Sequence, residues 1–212
     1  MRILLLNGAD KSHRKAEEIC RFITETCETH GHVVTEMVLR DMEITYWLPE
    51  STGFHNTPGM CRVENDMRKF VKKLTRSHVV IAVTPITCGG YSFDLNRVFQ
   101  RSIPKKIPHI LNLKKEAVRE DAYEQSLRYL AIGILSEADE AQEKRFRKLV
   151  ERSEANFNSQ IVSSRVILDS QPSEVTREEV KRLLQEVVLE KAEFPSRRKT
   201  KKLPDPTKKK AL

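Results

Sequence analysis

The stretch from His78 to Arg101, HVVIAVTPITCGGYSFDLNRVFQR, decides the fold. Val79 to Val83 is a continuous run of β-branched and apolar residues, the pattern of a strand buried on both faces. Pro85 has no N–H to give to a ladder and ends the strand. Cys88-Gly89-Gly90 permits a sharp turn, and Ser92 is placed to accept from the first N–H groups of a helix opening at Phe93. Leu95, Val98 and Phe99 share one face of that helix. Ligands of open parallel sheets bind just beyond the carboxyl ends of strands, so this turn is a candidate site.

Working outward, Arg2 to Asn7 (RILLLN) reads as a buried first strand ended by Gly8. From Ser12 the period becomes helical, with Ala16, Ile19, Cys20, Ile23 and Cys27 on one face and Gly31 closing the segment. Val33 to Leu39 fits a second strand, and its charged Glu36 suits an edge position. Asp41 to Cys61 lacks any period and reads as a long loop, the kind that carries function or disorder. Met67, Phe70, Val71 and Leu74 mark a helix before the central strand. Beyond Arg101, Lys105-Lys106 leads through HILNL to a charged stretch, Lys114 to Arg128, expected to be helical.

Tyr129 to Leu135 (YLAIGIL) is a further buried strand. Ser136 with Asp139 is the expected cap of a helix turning Ala138, Ala141, Phe146, Leu149 and Val150 inward. Arg165 to Leu168 gives a fifth strand, and Thr176-Arg177-Glu178-Glu179 reads as a capping box for a last helix burying Val180, Leu183, Leu184, Val187 and Val188. Strands alternating with helices predict an α/β fold, a three-layer doubly wound five-stranded parallel sheet, with two common strand orders open.

The chain has 212 residues and a net charge of +8. Nine basic residues from Lys191 onward, against Glu193 and Asp205, carry +7 of this and leave +1 for residues 1–190. The basic balance thus belongs to a tail, and nucleic-acid binding by the body is not implied. We expect a domain over 1–193 and a flexible tail over 194–212, with solubility as the tail's default role. Contact with nucleic acid, an acidic partner or an anionic membrane is its alternative. No apolar run reaches the roughly 18 residues of a membrane span, and MRILLLNGAD is too soon polar for a signal peptide. A cytoplasmic protein is expected. Cys20, Cys27, Cys61 and Cys88 form no CxxC pair, which argues against a disulfide framework and a metal cluster. Cys88 invites a redox reading, and a small residue in a turn is its plainer one. Tyr46, Trp47 and Phe54 in the long loop fit either a ligand cover or a satellite apolar cluster.

The pairing of STGFHNTPGMCRVENDM (Ser51 to Met67) with TPITCGGYSFDLNRVFQR (Thr84 to Arg101) resembles the flavodoxin-like NAD(P)H-dependent FMN reductases and iron–sulfur flavoproteins. Thr57, Pro58, Gly59, Cys61, Asp66 and Met67 match that family's Thr-Pro-Gly-x-Cys-x-x-x-Asp-Asp-Met segment, with Asn65 in place of the first Asp. The resemblance covers about residues 1–170. It implies strand order 2-1-3-4-5, an oligomer, and FMN as cofactor with NAD(P)H as co-substrate and an unidentified electron acceptor. It places the phosphate on the loop of Ala9, Asp10, Lys11, Ser12, Arg14 and Lys15. The flavin ring would lie against Pro85, Ile86, Thr87, Cys88, Gly89, Gly90 and Ser136. No catalytic side chain and no metal are implied, and the cluster cysteines are absent around Ser51 to His55. The chain departs from the family pattern at Ala9 and Ala16, where hydroxyls are usual, and at Thr87 and Cys88, where larger residues are usual. Ser136-Glu137-Ala138 also replaces a Gly-Gly loop. The alternative function is a cofactor-less flavodoxin-like binding or regulatory module.

Overall fold

The computed structural model describes residues 1–44, 66–102, 127–153 and 159–189. Tyr46, Trp47, Phe54 and Cys61, the Thr57 to Asn65 part of the matched segment, most of the expected helix after Lys114, and the tail lie outside the described residues.

Five parallel strands form one sheet in the order β2-β1-β3-β4-β5. They are β1 (Arg2–Asn7), β2 (Val33–Val38), β3 (Val79–Pro85), β4 (Leu127–Leu135) and β5 (Ser159–Leu168). The centre is built from the apolar runs: Val79 to Thr84 of β3 and all nine residues of β4 are buried. Each strand there faces helices on both sides, so it has no polar face to offer. Glu36 falls on β2, an edge strand, as its charge requires.

The helices are α1 (Arg14–Thr29), α2 (Met67–Leu74), α3 (Phe93–Ser102), α4 (Glu140–Arg152) and α5 (Ser173–Leu184), the last continuing into a π-helical turn, Gln185–Leu189. Ile3 and Leu5 pack on the side of α1 and α5, whereas Leu4 and Leu6 pack on the side of α2, α3 and α4. The alternation of strand side chains thus sorts one apolar run into two cores. Each buried Leu or Ile contributes about 1.5–3 kcal/mol relative to an exposed one. A buried polar chain crosses the second core: the Tyr129 hydroxyl donates to that of Tyr91 at 3.1 Å, and Tyr91 lies 3.1 Å from the Ser153 hydroxyl.

Several boundaries differ from the sequence expectation. Leu127 and Arg128 belong to β4 rather than to a preceding helix, and β5 begins at Ser159, not Arg165. The cap of α4 is Asp139, whose carboxylate accepts from the Gln142 N–H at 2.9 Å; Ser136 lies outside the helix and is exposed. Ala138 and Ala141 are exposed, while Phe146 and Val150 are buried as expected. The last helix opens at Ser173, so Thr176 sits inside it and donates its hydroxyl to the Pro172 carbonyl at 3.1 Å.

Candidate functional site

In this strand order the chain turns to opposite directions at β1 and β3, which opens a crevice outside their carboxyl ends. The wall from β1 is the loop Gly8 to His13 leading into α1, and the wall from β3 is Ile86 to Ser92 leading into α3. The two are held close by the Gly8 N–H, which donates to the Val83 carbonyl at 2.8 Å. A Cβ on Gly8 would stand 3.0 Å from the Ser92 hydroxyl oxygen and 3.1 Å from the Leu95 Cβ, so a larger residue would press on the start of α3.

On the first wall, Ala9 is fully buried, and its N–H donates to the Asn7 side-chain oxygen at 3.1 Å. Its carbonyl accepts from Arg40 Nη1 at 3.2 Å, and Arg40 Nη2 pairs with Glu17 at 2.9 Å. Asp10 Oδ1 accepts from the Ser12 N–H at 2.8 Å and from the Ser12 hydroxyl at 2.5 Å, and lies 2.8 Å from His13 Nδ1. The Ser12 hydroxyl above all, then His13 and the Ser12 N–H, hold the Asp10 carboxyl far below the usual carboxylate range. Lys11 and Arg14 are exposed at the start of α1. Lys15 turns elsewhere: its ammonium donates to the Gln171 carbonyl at 2.7 Å and lies 3.4 Å from Glu18, tying α1 to the connection after β5.

On the second wall, Thr87 and Gly90 exchange both backbone bonds, at 3.1 and 2.9 Å. Cys88 and Gly89 between them have φ of +53° and +78°, the pattern of a type I′ turn. Thr87 and Cys88 are exposed, whereas Gly89 is buried beneath α4. The Gly89 N–H donates to the Gln142 side-chain oxygen at 3.2 Å, and a Cβ there would meet Arg145 at 2.8 Å. Thr84 supports the turn from below, accepting from the Ser92 N–H at 2.9 Å. Ile86 donates its N–H to the Ile134 carbonyl at 2.8 Å, and Pro85 closes β3 beside it. Ser136 is exposed at the end of β4. The predicted residues thus fall on two walls and one rim, apart from the side chain of Lys15.

Sequence reasoning missed Asn7, Arg40 and Gln142. Asn7 was visible as the polar residue ending an apolar run, but Arg40 and Gln142 reach the loops from other elements and carry no local signal. Beside the first wall lies a cavity of about 350 Å³ lined by Asn7, Glu17, Cys20, Glu36 and Arg40 among others. Burial first, then Glu36 and Glu17, push the Cys20 thiol well above its usual range, so it is a neutral packing group there rather than a nucleophile. Among the described residues, no group of three His, Cys, Asp or Glu could hold a metal ion, and no helix is long and apolar enough to cross a membrane.

These features define a flavodoxin-like α/β protein whose switch point lies between β1 and β3, the place where sheets of this kind bind ligands. Residues 1–109, just over half the chain and including both walls, match the model of the NADPH-dependent FMN reductase family, and the chain belongs to that family. Its cofactor is FMN, with NAD(P)H as co-substrate, and it is a flavin-dependent oxidoreductase. No curated protein matches the sequence. Among solved structures, a flavone reductase superposes with a TM-score of 0.62 at 14% identity, over 87% of this chain and 60% of that one. An NAD(P)H:quinone oxidoreductase from Methanothermobacter marburgensis superposes at 0.63 with 13% identity, over 85% and 92% of the two chains. An azoreductase from Bacillus anthracis str. Sterne superposes at 0.54 with 13% identity, over 88% and 95%. At these identities the likeness is one of fold.

The described residues fit FMN. Lys11 and Arg14 at a helix start favour an anion, and the opposite wall offers an accessible turn to a flat ring. Asp10 is the residue that runs against the fit.

Proposed function

We propose that the crevice holds FMN with its phosphate toward Ala9, Asp10, Lys11, Ser12 and Arg14, and its ring toward Pro85, Ile86, Thr87, Cys88, Gly89, Gly90 and Ser136, the Lys15 ammonium being held by Gln171 and Glu18. Bound FMN supplies hydride acceptance and donation between NAD(P)H and a second acceptor. The chain's own residues bind and orient. Lys11 and Arg14 attract the phosphate, and the Thr87 to Gly90 turn, fixed by Gln142, presents a rigid wall to the ring. No side chain is assigned as a general acid or base. One observation carries this reading: the Gly8 N–H to Val83 carbonyl bond joins the loop after β1 to the end of β3, so both loops leave the sheet side by side at the switch point.

The fold neighbours include an NAD(P)H:quinone oxidoreductase and an azoreductase, which makes a quinone and an azo dye sensible acceptors to offer. An oligomer in the cytoplasm is part of the same proposal. The test is to titrate the purified protein with FMN, then follow NADPH or NADH oxidation with a quinone or an azo dye. Flavin uptake and flavin-dependent oxidation of the nicotinamide are expected. A protein that neither carries nor takes up flavin defeats the reading and selects a cofactor-less binding module.

A further inference from the structure

A phosphate arriving at the start of α1 would seek the donors of the loop before it, because helix-start N–H groups and neighbouring hydroxyls favour an anion. In this chain the donors of Ser12 and His13 already face an anion, the carboxylate of Asp10, at 2.5 to 2.8 Å. The same contacts keep that carboxyl ionised. Lys15 is engaged by Gln171 and Glu18, and Arg40 by Ala9 and Glu17. Lys11 and Arg14 remain as the exposed cations of the loop. A phosphate dianion would have to displace a fixed negative charge or lie beside it, and would lose part of what the cations offer.

We propose that Asp10 is a built-in anion occupying the phosphate end of the crevice, so that the protein scarcely distinguishes FMN from riboflavin and holds either flavin chiefly by its ring. A flavin lacking a firm phosphate anchor exchanges with solution more readily than one held at both ends. The inference rests on the flavin reading of the crevice. It concerns only what the phosphate adds.

The test is titration of FMN and of riboflavin, read by flavin fluorescence, with the wild-type protein, Asp10→Ser and Asp10→Asn. The Asp10 side chain is 64% exposed, so both variants should fold, and circular dichroism checks this. The wild type should bind the two flavins within about threefold of each other. Asp10→Ser, which removes the charge and adds a hydroxyl, should tighten FMN at least about tenfold while leaving riboflavin within about twofold. Asp10→Asn, which removes the charge and keeps an acceptor, should fall between. A wild type that prefers FMN by about tenfold or more, or an Asp10→Ser that leaves FMN binding unchanged or weaker, overturns the inference while the flavin reading stands. If neither flavin binds any of the three proteins, the flavin reading itself is overturned, and this inference with it.

Discussion

Cys27 is fully buried on the inner face of α1, and this burial, with a smaller contribution from Glu28, pushes its thiol from 9.0 up to about 11. The neutral thiol is the form the fold accepts. The stability it supports is therefore complete below pH 9 and lost as pH climbs through 11. At about 1.4 kcal/mol per unit, the loss amounts to roughly 3 kcal/mol. Urea unfolding followed from pH 8 upward should show a decline that is shallower by about this amount in Cys27→Ala. Equal slopes in the two proteins would sink the idea; Cys20, raised by the same burial, keeps some decline in both. At this scale the sequence identified which cysteines lie inward, because Cys20 and Cys27 share the helical period of Ile19 and Ile23. It did not reveal that Asp10 bonds the hydroxyl and N–H two residues on, since Asp-x-Ser occurs in many loops that bind nothing.

Among the elements, α4 couples the rim of β4 to the wall from β3. Asp139 accepts from the Gln142 N–H and from the Gln142 side-chain amide, both at 2.9 Å, and Gln142 accepts from Gly89. The cap thus fixes the side chain that steadies the turn. Asp139→Ala should lower the unfolding free energy by about 1 kcal/mol, measured by urea denaturation, and an unchanged midpoint would show that the cap contributes nothing. Central elements were legible because continuous apolar runs admit few readings: α3 is found from Phe93 to Ser102, as its period indicates. Element starts were less legible. In β5 the segment SQIVSSRVIL mixes Ser, Gln and Arg with aliphatics, as an edge strand tolerates, so only RVIL carried a strand signal. The strongest capping-box pattern, Thr176 to Glu179, lies a turn inside α5, where the Thr176 hydroxyl bonds backward to Pro172.

For the molecule as a whole, burial falls from the centre of the sheet to its edges. β3 and β4 are closed on both faces, while β2 carries exposed Val33 and Glu36. Hydrogen exchange should follow that gradient, with amides of β3 and β4 at least about tenfold slower than those of β2. Equal rates across the sheet would mean that it opens only as one unit. Strand order could not be chosen from periodicity alone, because it depends on pairings between distant segments. The matched motifs selected the order, and the sheet has it.

Arg128 lies at the amino end of β4, buried, and donates to the Val187 carbonyl at 2.6 Å. This bond pins the π-helical turn after α5 to the edge of the sheet away from the crevice. The turn therefore sits at the amino edge of the sheet, opposite the end that carries the two walls, and a label placed on the turn would leave the walls open to whatever diffuses in.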